Sequence, residues 1–160
     1  MSSLSASQLV ECLKGISLKN RTGILLLSLS WLGRESDIAS HMGISFADER
    51  QWVLGQLKLG QRYLGQTWMG LITKDLDGMI RDSKLDGHCL LVANLDIILS
   101  SVGTANRSLF WSFIHKSYKP PCGVLLTLPS ETRRIITDEE LSVWAGTGRL
   151  AIWEEGALKL

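Results

Sequence analysis

Three nearly unbroken apolar runs constrain this chain more than any other feature: Gly23-Ile24-Leu25-Leu26-Leu27, Cys89 to Leu95 and Gly123 to Leu128. Each is shorter than an ordinary helix and lacks the alternation of a half-solvated strand, so each reads as a strand covered on both faces. Strands of that kind belong to a parallel sheet beneath helices. The intervening segments supply the helices. Ser5 or Ser7 caps a first one that carries Leu9, Val10 and Leu13 and ends near Gly15. Gly33 to Met42 is a second, stopped by Gly43, and Ile44-Ser45-Phe46 is a brief strand. Asp48 to Asp82, with five glycines, predicts broken helices, and Asp86-Gly87 a turn. Asn106 to Tyr118 and Asp138 to Trp144 are further helices, and Arg149 to Trp153 alternates like an edge strand. Strand and helix thus alternate along the chain. The fold class that follows is α/β, a mostly parallel sheet flanked by helices, in one domain over 1–160.

Composition removes several classes of function. With 45% hydrophobic and 21% charged residues and a formal net charge of +1, the chain has neither the signature of disorder nor a polyanion-binding tail. Cys12, Cys89 and Cys122 lack metal-site or disulfide spacing and read as reduced core residues. The apolar run Gly23 to Gly33 is interrupted by serines and falls short of the ~20 residues that span a bilayer. Met1 to Gln8 has no basic segment leading into an apolar one, so a cytoplasmic protein without membrane contact is expected.

Ligands of parallel sheets sit beyond the strand carboxyl ends. After the first run comes Ser28, four residues, then Gly33-Arg34-Glu35, the spacing of the phosphate-binding motif G-x-x-x-x-G-K-[ST] with only its second glycine retained. In a working loop, backbone N–H groups wrap phosphates, lysine contacts the terminal phosphates and the hydroxyl holds magnesium. Arg34 keeps the charge in a bulkier planar head, and Glu35 puts a carboxylate where the hydroxyl should be. The same two residues could simply open a surface helix, with Glu35 at its positive end. After the second run Ala93 and Asn94 stand where a metal-directing aspartate is expected, with Asp96 just beyond. Thr127 ends the third run, where a polar residue can sense a phosphate. Arg133 and Arg134 follow Pro129, and either guanidinium is a candidate for contact with a phosphate or a neighbouring subunit's acid.

The order of these pieces resembles the small P-loop proteins of type 3 BREX phage-defence systems, within the wider AAA+-like group. The resemblance rests on Gly23 to Leu27 leading into the loop, Leu90 to Leu95 followed by Asp96, Leu125-Leu126-Thr127 before Pro129, and Gly148-Arg149-Leu150. It implies a P-loop NTPase-like fold with an AAA+/RecA-like core. Gly33 then matches the second loop glycine, Arg34 the lysine, Glu35 the threonine, Ala93 the Walker B aspartate, and Asp96 stands near the later acid.

The expected function is that of a degenerate P-loop subunit, without hydrolysis, that assembles with itself or with larger bacterial defence proteins, beside DNA in a larger complex. The nucleotide site, if retained for ATP and magnesium, would comprise Ser28, Gly33, Arg34, Glu35, Asp96 and Thr127, with Arg133 or Arg134 reaching in from a neighbour. Partner contact predicts exposed tryptophans among Trp52, Trp68, Trp111, Trp144 and Trp153. Two alternatives stay open: an active divergent ATPase using Arg34 and Asp96, and a small DNA-binding module.

Overall fold

A computed structural model gives the fold and describes residues 4–15, 20–60, 69–83, 88–131 and 134–153. The chain runs α1 (Ala6–Lys14), β1 (Thr22–Leu27), a 3-10 turn (Leu29–Trp31), α2 (Glu35–Met42), β2 (Ser45–Asp48), α3 (Glu49–Lys58), α4 (Met69–Asp82), β3 (Cys89–Ala93), α5 (Leu95–Leu99), α6 (Thr104–Lys116), β4 (Gly123–Pro129), α7 (Asp138–Gly146) and β5 (Leu150–Ile152). Among the described residues every strand pairing is parallel, and the sheet order is β2-β3-β4-β1-β5. That order differs from the two common doubly wound ones because β4 lies between β1 and β3.

Alternation along the strands divides the core. Leu25, Leu27, Leu91, Leu125 and Ala151 face α1 and α2, packing with Leu9, Leu13, Ile38 and Ala39. Ile24, Leu26, Leu90, Val92, Val124 and Leu126 face the opposite layer, built from α3 to α7 around Leu76, Phe110, Trp111, Ile114 and Trp144. Both faces of each central strand are therefore dry, which is why the three runs carry no alternating polar residue. α1 lies so close to β4 that a Cβ at Gly123 would sit 2.8 Å from the Leu13 Cβ and 2.9 Å from its carbonyl oxygen, and glycine is required there.

The helix ends are fixed by local chemistry. Ser5 and Gln8 exchange side-chain to backbone hydrogen bonds at the start of α1, and Thr137 and Glu140 do the same at α7. Arg21 closes the other end of α1 by donating to the carbonyls of Leu13 and Lys14 at 2.8 and 2.9 Å. Gly43 ends α2 in the left-handed conformation.

Several boundaries and burial expectations are corrected. The 3-10 turn delays α2 to Glu35, β3 ends at Ala93 because Asn94 turns left-handed, and α6 starts at Thr104 after Gly103, so Asn106 is no cap. Cys12 is exposed, at the border of the buried stripe of α1, whereas Cys89 and Cys122 are buried as expected. Burial pushes the Cys89 thiol up to about 12, which keeps it protonated and inert. Trp111, Trp144 and Trp153 are buried and Trp52 is half-buried over Gly78, so none is a free surface anchor; Trp68 lies outside the described residues.

A polar cluster fastens the amino end of the sheet. Arg149, just before β5, is buried beneath the ring of Trp144 and donates to the Thr22 carbonyl, the Thr22 hydroxyl and the His115 carbonyl. His115 sits at the end of α6 with its ring 4.8 Å from that of Trp144. The Thr147 hydroxyl donates to helix carbonyls, so it accepts from His115 Nε2–H at 3.0 Å, and Nδ1 keeps a buried lone pair with no partner among the described residues. Protonation would add a donor with nothing to receive it. Burial, then the charges of Arg149 and Lys116, accordingly lower the His115 pKa from its ordinary 6.5. Below that value the unfolded chain takes up a proton that the folded chain resists. Stability should therefore fall as pH drops through and below 6.5, and be insensitive to this group well above that value. Urea unfolding of His115→Gln is expected to lose that acid slope; a variant as acid-sensitive as the parent assigns the slope to another group.

Candidate functional site

The chain leaves β1 and β4 toward opposite faces of the sheet, through α2 on one side and α7 on the other. The carboxyl ends of these neighbouring strands therefore form the crevice where parallel sheets place ligands. Ser28 to Glu35 forms one wall, and the segment after Pro129 forms the other; Ser130 N–H donates to the Leu27 carbonyl at 2.8 Å and ties them together.

The loop after β1 is closed on itself. Trp31 N–H donates to Ser28 O at 3.0 Å, Leu32 N–H to Leu29 O at 3.3 Å and Arg34 N–H to Trp31 O at 3.0 Å. Between them, Gly33 N–H donates to Glu35 Oε1 at 3.1 Å, with Gly33 at φ +88° and the Glu35 side chain buried. All four successive amides from 31 to 34 are engaged within the loop. A phosphate cradle needs such groups unbonded and converging, and here a carboxylate of the chain itself takes the anion's part. Ser28 and Ser30 hydroxyls bond each other at 3.0 Å.

Arg34 is committed to its own neighbours. Its guanidinium stacks over Trp31, 4.2 Å from the ring centroid, and Nε lies 3.6 Å from Asp37 Oδ2 on the exposed side of α2. Thr127 is likewise committed elsewhere. It sits inside β4, buried, donating to the Val92 carbonyl at 3.2 Å, while the strand continues to Pro129. That hydroxyl is a sheet cross-link between β3 and β4.

At the end of β3, Asn94 adopts φ +65° and donates from Nδ2 to Asp48 Oδ1 at 2.9 Å. Asp48 also caps α3 by accepting from Arg50 and Gln51 amides, so the acid paired with Ala93 at the end of β3 is a structural cap from the neighbouring strand. The signal for it in the sequence is a lone Asp ending a short strand before a helix. Asp96 opens α5. Burial raises its pKa, and the nearby Glu35 adds to the rise. The charge of Glu35 is thus felt at Asp96, across the carboxyl end of the sheet.

Asp96 also joins Arg134. Together with Ile97, Ser100, Arg107 and Ile135 they line a cavity of about 420 Å3 beside α5. Arg107 of α6 belongs to this cleft, while His115 at the other end of the same helix is buried at the amino end of the sheet. Arg133 lies outside the described residues. Among the described residues no group of three His, Cys, Asp or Glu could hold a metal ion, and no helix is long and apolar enough to cross a membrane.

No protein-family model matches this chain, and no curated protein or solved structure matches it either.

Proposed function

We propose that this chain is a P-loop-like subunit that does not hydrolyse nucleotide and works by binding protein partners, itself or larger proteins of a bacterial phage-defence assembly, with DNA reached through that assembly. The observation that carries the reading is the self-bonded loop: Trp31 to Arg34 amides are occupied, and Glu35 fills the place of an external anion. The strand order supports the P-loop-like part, since a fourth strand inserted between the first and third is the order of the AAA+/RecA-like core. The partner-binding part draws support from exposed apolar side chains at the same end of the sheet. Leu29 is 72% exposed in the loop, and Leu32, Ile97 and Ile152 are also open to solvent.

A thermal shift with millimolar ATP and magnesium tests the nucleotide part. A ligand at a hundred times its Kd would stabilise by about 2.7 kcal/mol, a rise of several degrees for a chain of this size. No shift is expected. A dose-dependent rise, with hydrolysis that Arg34→Ala abolishes, would establish the divergent-ATPase alternative instead. For the assembly part, light scattering of the parent is expected to give a mass that grows with concentration, and Leu29→Ser with Leu32→Ser to suppress the growth. A concentration-independent monomer would remove self-association.

A further inference from the structure

The cleft beside α5 holds charges of both signs that do not use one another. Arg107 is fixed by donating to the Val102 carbonyl and, at 3.2 Å, to Thr104 Oγ1, which leaves further N–H groups of the guanidinium unbonded. Arg134 makes no hydrogen bond or ion pair among the described residues. Asp96 makes no ion pair and no side-chain hydrogen bond among the described residues. Two guanidinium groups and one carboxylate thus line a single cavity, with Ile97 and Ile135 as its apolar surface and Ser100 beside them. One wall is tied to the core, where Trp111 Nε1–H donates to the Ile135 carbonyl at 2.8 Å. A volume of about 420 Å3 suits a small molecule rather than a chain segment.

We propose that this cleft binds an aliphatic α-amino acid, its carboxylate on Arg107 and Arg134, its ammonium on Asp96 and its side chain against Ile97 and Ile135. A simple anion is a poorer fit, because it would bring a second negative charge beside Asp96, which already has Glu35 near it. A simple cation meets two guanidinium groups. Only a dipolar ligand satisfies both ends, and a planar carboxylate matches the fork geometry of arginine. The cleft includes Asp96 of the expected nucleotide site but no residue of the loop at 28–35, and titrating L-leucine apart from ATP and magnesium keeps the failure of one reading distinguishable from that of the other.

Isothermal titration of the full chain with L-leucine tests the proposal, beside 4-methylpentanoate, which lacks the amine, 3-methylbutylamine, which lacks the carboxylate, and inorganic phosphate. L-leucine should bind at least about tenfold more tightly than any of the three, the factor expected when a charged hydrogen-bonding group is lost. Asp96→Asn and Arg134→Ala should each weaken L-leucine by about tenfold or more while leaving the denaturation midpoint in place, since neither side chain bonds another side chain. No heat with L-leucine would overturn the proposal. So would phosphate or 4-methylpentanoate binding as tightly, or an Asp96→Asn protein that binds like the parent.

Discussion

Arg149→Ala is expected to cost about 3 to 5 kcal/mol of folding stability, enough to bring a domain of this kind near its unfolding threshold at 37 °C. The guanidinium is 6% exposed and spans three elements: Nε meets Thr22 O at 2.6 Å on β1, Nη1 meets His115 O at 2.7 Å on α6, and its face covers Trp144 of α7 at 4.7 Å. No carboxylate pairs with it among the described residues, and desolvation lowers its pKa to about 10. Backbone carbonyls and a ring face balance the buried charge instead. Truncation would leave the His115 carbonyl and Thr22 hydroxyl without this donor and open a void under Trp144, each a cost of about 1 to 3 kcal/mol. Arg149→Lys keeps the charge and loses the fork, so it should recover less than half. Urea denaturation measures both, and an Arg149→Ala protein within 1 kcal/mol of the parent would mean that solvent reaches this cluster.

Trp111→Ala should be similarly damaging, about 3 to 5 kcal/mol. Trp111 is among the largest fully buried side chains and packs edge-on against Phe110 at 5.1 Å and Trp144 at 6.2 Å. Its Nε1–H is the one described contact that pins the Ile135 carbonyl. Trp111→Phe separates the two contributions: it keeps most of the packing, loses the donor, and should cost about 1 to 2 kcal/mol. Hydrogen exchange on the segment following β4 should quicken in Trp111→Phe well before the core does. Equal protection in parent and variant would show that the segment is held by other contacts.

These two residues also mark where sequence reasoning stops. Arg149 stood at the start of an expected edge strand, and an arginine there is normally solvated. Nothing in Gly148-Arg149-Leu150 reveals that Thr22, far away in the chain, offers it a carbonyl and a hydroxyl. Tryptophans are equally ambiguous, since core and interface both favour them. The expectation of exposed anchors failed because the five-stranded sheet has a thick helical layer on one side, and Trp111 and Trp144 fill it.

The loop divides in the same way. Its spacing, Ser28 to Gly33-Arg34-Glu35, was legible because motif spacing is a property of the chain. Which amides are bonded was not. A carboxylate two residues after Gly33 can extend into solvent or fold back, and only its burial and its bond to the Gly33 amide show that it folds back. Arg34 likewise had two destinations, and the ring of Trp31 with the carboxylate of Asp37 draws it outward.

By itself the sequence determined the three central strands, the alternation of strand and helix, and the α/β class, because unbroken apolar runs have no stable home except between two layers. Tertiary structure alone decided the strand order, the closure of the loop and the meeting of Asp96, Arg107 and Arg134, since each depends on groups brought together from distant positions. Periodicity records which face of an element is buried. It carries no information about which distant partner buries it.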